Sequence, residues 1–125
     1  MPHKLKTPHA DRSPYGWWIF CEVQQWVEGD PKNAAKQKRF PVWENMRLLK
    51  ARNYEQAYRK AIKLANIGMP SATEGGEWHF IGLSMLLPAY EALEDGAEIL
   101  WTDHGKISAA KIKRMVKSKE KLSVP

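Results

Sequence analysis

From Trp17 to Val27 the chain alternates with a period of two. Trp17, Ile19, Cys21, Val23 and Val27 share one parity, and Trp18, Phe20, Glu22, Gln24 and Trp26 share the other. Aromatic and β-branched residues at that period predict a long strand, apolar on both faces over its first half. The polar stretch from Glu28 to Arg39 follows, with Gly29-Asp30-Pro31 as its turn signal, and predicts a loop. From Pro41 to Ala51 the alternation is poorer, but Val42, Trp43, Met46, Leu48 and Leu49 predict a second strand. The pattern then changes period. Tyr54, Ala57, Tyr58, Ala61, Ile62 and Ala65 form one apolar stripe at helical spacing. Asn53 is placed to cap, Gln56 stands three residues on, and Gly68 and Pro70 end the run, so a helix is predicted over 53–68.

After Gly75-Gly76 the segment EWHFIGLSMLL predicts a third strand, with Trp78 and Phe80 on one face and His79, Ile81 and Leu83 on the other. Pro88 is expected to open a short helical turn through Leu93. Asp95-Gly96 signals a turn, and AEILWTD then predicts a fourth strand. Ser108 is placed to cap a last helix, with Ala109, Ile112, Met115 and Val116 as its buried stripe and the lysines facing water. The order ββαββα predicts the α+β class: a four-stranded, mainly antiparallel sheet with two helices. We expect a single domain over 15–116, a flexible tail over 1–14 and a basic tail over 117–125.

Length and composition narrow the classes. A chain of 125 residues supports one core, which excludes a two-domain enzyme with an interdomain cleft. The apolar run from Ile81 to Ala92 is too short to span a bilayer, and no apolar core follows the charged front, so no secretory signal is read there. The one cysteine, Cys21, excludes an internal disulfide framework and agrees with a reducing cytoplasm. The net charge of +6 is local. Lys106, Lys111, Lys113, Arg114, Lys117, Lys119 and Lys121 stand against Glu120 alone, so one terminal segment carries the whole excess. A smaller cluster comprises Lys32, Lys36, Lys38 and Arg39.

Known chemistry-bearing motifs are missing. No glycine-rich phosphate loop, G-x-S-x-G elbow, H-E-x-x-H or paired Cys-x-x-Cys occurs. His79, with Glu77 on the same strand face, and His104, beside Asp103, would form a carboxylate-histidine cluster only if the fold brought them together. Otherwise His79 is a half-buried sheet residue and His104 a turn residue. Cys21 reads as a buried, inert thiol. Glu22 and Glu44, inside the first two strands, are placed to face Arg47 or Lys50 across a ladder. These residues supply no catalytic site, no metal site and no cofactor site.

Five segments stand in a particular order and spacing: the opening aromatic strand with Glu22, the strand ending in Leu48-Leu49-Lys50-Ala51, the helix entry Tyr54-Glu55-Gln56-Ala57 with Lys60-Ala61, then Trp78-His79-Phe80-Ile81-Gly82-Leu83 and Leu93-Glu94-Asp95-Gly96-Ala97-Glu98-Ile99. From Trp17 to Ile99 they resemble the bacterial domain of unknown function 4288 family. The resemblance implies a fold and a bacterial cytosolic setting, and no catalytic residues.

Two surfaces remain for function. Trp17, Trp18, Phe20, Trp26, Trp43, Trp78 and Trp101 put aromatic groups on both sheet faces, although helices on one side leave the other face open. Either the chain's own loops and the Leu86–Leu93 segment close that face, or it is an interface with a second copy or another protein. The lysine-rich end is either a solvated face or a contact for phosphates or an acidic protein surface. The first expectation is therefore a non-enzymatic protein-interaction module of accessory or immunity type, with a homodimer as one form. The alternative is a nucleic-acid-binding protein that uses the basic end.

Overall fold

The computed structural model describes residues 13–67 and 75–123. Three strands form one antiparallel sheet: β1 (Trp17–Glu28), β2 (Val42–Lys50) and β3 (Gly76–Pro88), in the order β2-β1-β3. Helix α2 (Tyr54–Ile67) crosses one face, and two short helices, α1 (Pro31–Lys36) and α3 (Ala109–Met115), lie outside the core. The class is α+β, as predicted.

The parity of β1 decides what α2 covers. Trp18 and Phe20 are fully buried beneath it with Leu49, Ala51, Ala57 and Ala61, and Leu64, Leu83 and Leu86 pack around them. The helix presents alanines at 57, 61 and 65, all fully buried, so its backbone approaches the sheet closely. Trp18 satisfies its ring N–H on the carbonyl of Ala51 at 3.1 Å and meets the Tyr54 ring edge-on at 6.3 Å. The entry to α2 follows the sequence pattern with one shift. The Asn53 Oδ1 accepts from Gln56 N at 2.8 Å, but the Gln56 Oε1 accepts from Arg52 N rather than from the capping residue itself. The predicted end of the helix at Gly68 and Pro70 lies outside the described residues.

Four expectations need correction. The stretch after Glu28 is not wholly loop. Asp30 accepts from Lys32 N and Pro31 occupies the first turn, so the turn signal is the N-cap of the six-residue α1. No helical turn begins at Pro88, because β3 continues to that residue and Ala89 N still donates to Trp17 O. The fourth strand, AEILWTD, is absent from the described sheet. The Asp95-Gly96 turn forms, with Gly96 at φ 84° and Ala97 N on Glu94 O. The edge of β3, the strand before it in the chain, is irregular, however. β3 carries register shifts opposite Cys21/Glu22 and Val23/Gln24, and Pro88 ends it without an N–H. Trp101 instead packs its ring against Tyr90 at 5.7 Å from a segment that belongs to no strand or helix. Finally, Ser108 caps α3 as expected, but Ile112, Met115 and Val116 are exposed, Val116 by 77%. A helix of seven residues with no surface against it cannot bury its stripe.

Candidate functional site: the free edge of β2 and the groove beside it

The backbone of β2 has a definite inward and outward set. Ala51 N donates to Gly16 O and Trp26 N to Pro41 O, which makes the odd-numbered residues of this strand the ones bonded to β1. The N–H and C=O groups of Glu44, Met46 and Leu48 therefore point away from the sheet, and no described strand pairs with them. Their side chains, with that of Val42, occupy the sheet face opposite α2. Val42 is 55%, Met46 62% and Leu48 44% exposed, although Ile19 and Cys21 on the same face of β1 are buried. The open face is thus closed over β1 and bare over β2. Glu44 interrupts the apolar strip and accepts from the Ser84 hydroxyl.

On the other face α2 runs alongside this edge. Lys60 Nζ donates to Lys50 O at 3.0 Å, and one Arg47 guanidinium nitrogen bonds both Glu22 Oε1 at 3.0 Å and Leu64 O at 3.2 Å. These contacts set the Lys60–Leu64 side of the helix over β2. Along α2 a groove of about 670 Å³ is lined by Arg52, Asn53, Gln56, Arg59, Lys60, Lys63, Leu64 and Ile67, all from the helix and its entry, with Lys60 and Leu64 joining it to β2. Four cations line it, and the nearby acid Glu55 is shared with Arg59 at 3.6 Å. The result is a free strand edge with an apolar flank on one side and a basic one on the other.

The residues singled out in the sequence are distributed differently. Trp18 and Phe20 are fully buried under α2 and present nothing to a partner. Trp17, Trp26, Trp78 and Trp101 are half-buried, and Lys50 Nζ sits 4.9 Å from the Trp17 ring. Trp43, 60% exposed, leans on Trp78 at 5.1 Å. Both rings stand on the α2 side of the sheet, and Trp43 pairs in register with the buried Gln24. Lys106, Lys111, Lys113, Arg114, Lys117, Lys119 and Lys121 all stand in solvent on the C-terminal segment. His79 is exposed rather than half-buried and lies 3.4 Å from Glu77, while His104 is in exposed coil beside Asp103, whose carboxylate accepts from Gly105 N. No group of three or more metal-ligating side chains forms among the described residues.

Glu22 pairs with Arg47 across the ladder, but more deeply than a surface pair. The Glu22 side chain is 2% exposed, and its Oε2 has no hydrogen-bond partner. Cys21 is buried, and that burial, helped by the negative Glu44 nearby, pushes its thiol above the ordinary value of 9.0.

A family model described as "Domain of unknown function (DUF4288)" matches residues 17–101, more than half of the chain. The chain belongs to this family. No curated protein and no solved structure matches it. The matched span includes β1, β2, α2 and β3, and with them both flanks of the free edge; α3 and the basic end fall outside it. No described helix is long and apolar enough to cross a membrane. The groove cations escape a reading of the sequence because each looks singly like part of a solvated helix face. Their signal is the recurrence of Arg52, Gln56, Lys60, Lys63 and Ile67 at helical spacing on one side of α2.

Proposed function

We propose that this chain is a non-enzymatic interaction module that engages another protein through β2. The observation that carries the reading is the coincidence, on one strand, of outward backbone groups at Glu44, Met46 and Leu48 that no described strand pairs with, and exposed apolar side chains at 42, 46 and 48. Sheet edges of that kind template the addition of another strand, and natural proteins normally blunt or cover them. The β3 edge is blunted by its bulges and Pro88, whereas β2 pairs with β1 in unbroken register. A photocrosslinking residue in place of Leu48, used in cells, is expected to give one discrete adduct. The partner so identified, once purified, binds the unaltered chain and loses about tenfold or more in affinity for Met46→Lys. Absence of a discrete adduct, or equal binding by Met46→Lys, overturns the reading.

A second reading, nucleic-acid binding, is favoured by the exposure of the lysine-rich end and by the four cations along α2 and its entry. It ranks below the first because a stacking platform needs aromatic rings and cations side by side. The exposed Trp43 stands on β2, whereas α3 and its lysines pack against none of the described strands.

A further inference from the structure

We infer that the segment received by β2 is an extended strand of another protein with acidic and apolar residues in alternation, the acidic ones turned toward α2. This rests on the interaction reading above and adds the chemistry of the partner. A strand added to a sheet edge places successive side chains on opposite faces, so each of its two sets meets a different flank of β2.

The two flanks of β2 have opposite demands. On the α2 side the incoming side chains come first to Lys60 and Leu64, which touch β2, and beyond them to the cations Arg52, Arg59 and Lys63 of the same groove, of which Arg59 is shared with Glu55. Carboxylates are the complement of that flank, and cations are repelled. On the open side the incoming side chains lie beside Val42, Met46 and Leu48. Apolar groups gain there by covering exposed area. An acid on that side would meet Glu44, so the same strand in the wrong register is rejected by charge. The outward N–H and C=O groups of Met46 and Leu48 supply the ladder, and Lys60 on the Lys50 carbonyl marks where it stops. A second copy of this chain fits less well. Antiparallel pairing of β2 with itself would bring two basic grooves face to face on one side of the joined sheet.

The test uses the full chain and a labelled peptide of alternating Glu and Val, as long as the nine residues of β2. Its controls have the same composition with the acids grouped, Lys in place of Glu, or N-methyl groups on alternate backbone nitrogens. The alternating peptide is expected to bind and to shift the amide resonances of Met46 and Leu48. Each control, and the Arg59→Glu/Lys63→Glu variant with the original peptide, should weaken binding about tenfold or more, one order being about 1.4 kcal/mol. Four results overturn the inference: no binding at about 1 mM, equal binding by the grouped or Lys peptide, a single-stranded oligonucleotide taking the same site more tightly, or a dimer in sedimentation that Met46→Lys disperses. The two readings fail separately. A discrete Leu48 adduct without peptide binding removes the acidic alternation and leaves the interaction module, whereas loss of both removes the module itself.

Discussion

At the scale of single residues the Glu22–Arg47 pair carries the largest local risk. Taking a carboxylate to 2% exposure is costly, and Arg47 offsets that cost through one oxygen only, since Oε2 has no hydrogen-bond partner. Arg47 has a second task, on the Leu64 carbonyl near the end of α2. Replacing Arg47 by Met is therefore expected to cost about 3 kcal/mol, because it strands a buried charge. The double variant Glu22→Leu/Arg47→Met should cost clearly less than Arg47→Met alone. Urea midpoints of the three proteins check this, and a double variant as unstable as the single would refute it. Cys21 makes a separate prediction about pH. Its folded-state thiol ionises above the ordinary 9.0, so the unfolded chain releases that proton first as pH rises. The contribution is intact below about pH 9 and is lost above it. The stability difference between the unaltered chain and Cys21→Ala should then shrink as pH is raised through that window, and chemical denaturation at several pH values reads it directly.

At the scale of elements, close approach decides what is tolerated. Helix α2 meets the sheet through Ala57, Ala61 and Ala65, which leaves no room for longer side chains. Two glycines of β3 provide a paired test of the same idea. A Cβ at Gly76 would run into the Trp26 ring and the Val27 carbonyl, whereas one at Gly82 meets nothing within 4 Å. Gly76→Ala is expected to destabilise by about 1–3 kcal/mol, as overpacking does. Gly82→Ala should be neutral or stabilising by about 0.5 kcal/mol, since it only restricts the unfolded chain. Thermal melts of both variants distinguish this from a general intolerance of substitution in β3. The same contrast explains what is legible in the sequence. β1 and α2 are readable because their own residues hold their period: alternating positions around Trp18 and Phe20, and an unbroken stripe from Tyr54 to Ala65. AEILWTD has the composition of a strand, but strand formation depends on a neighbour, and nothing local reveals that β3 is bulged and runs on as far as Pro88. The stripe of α3 likewise predicts burial without any means of knowing whether a surface faces it. The β2 edge is hidden for the same reason, since Val42, Met46 and Leu48 read as core until the sheet order leaves them outside.

At the scale of the whole molecule, the folded part and the charged part are separable. The core lies within β1, β2, α2 and β3, and from Ser108 to Ser123 no side chain is buried. Six of the chain's 20 basic residues lie beyond Ser108, against the single acid Glu120. A chain ending at Ile107 should therefore keep its melting temperature to within about 2 °C, because it gives up no buried apolar area and the capped α3 adds little on its own. It should also lose most of its attraction for polyanions. If the basic end engages phosphates, anisotropy with a single-stranded oligonucleotide will show affinity falling steeply with salt. The shortened chain will show a shallower slope, because each phosphate it no longer neutralises takes about one counterion out of the balance. If slope and affinity survive the truncation, Arg52, Arg59, Lys60 and Lys63 are the groups that meet the phosphates, and Arg59→Glu/Lys63→Glu should abolish binding. If neither form binds at low salt, the nucleic-acid reading fails. The groove beside β2 is then left to acidic side chains, where a carboxylate placed by a strand backbone meets the cations in register.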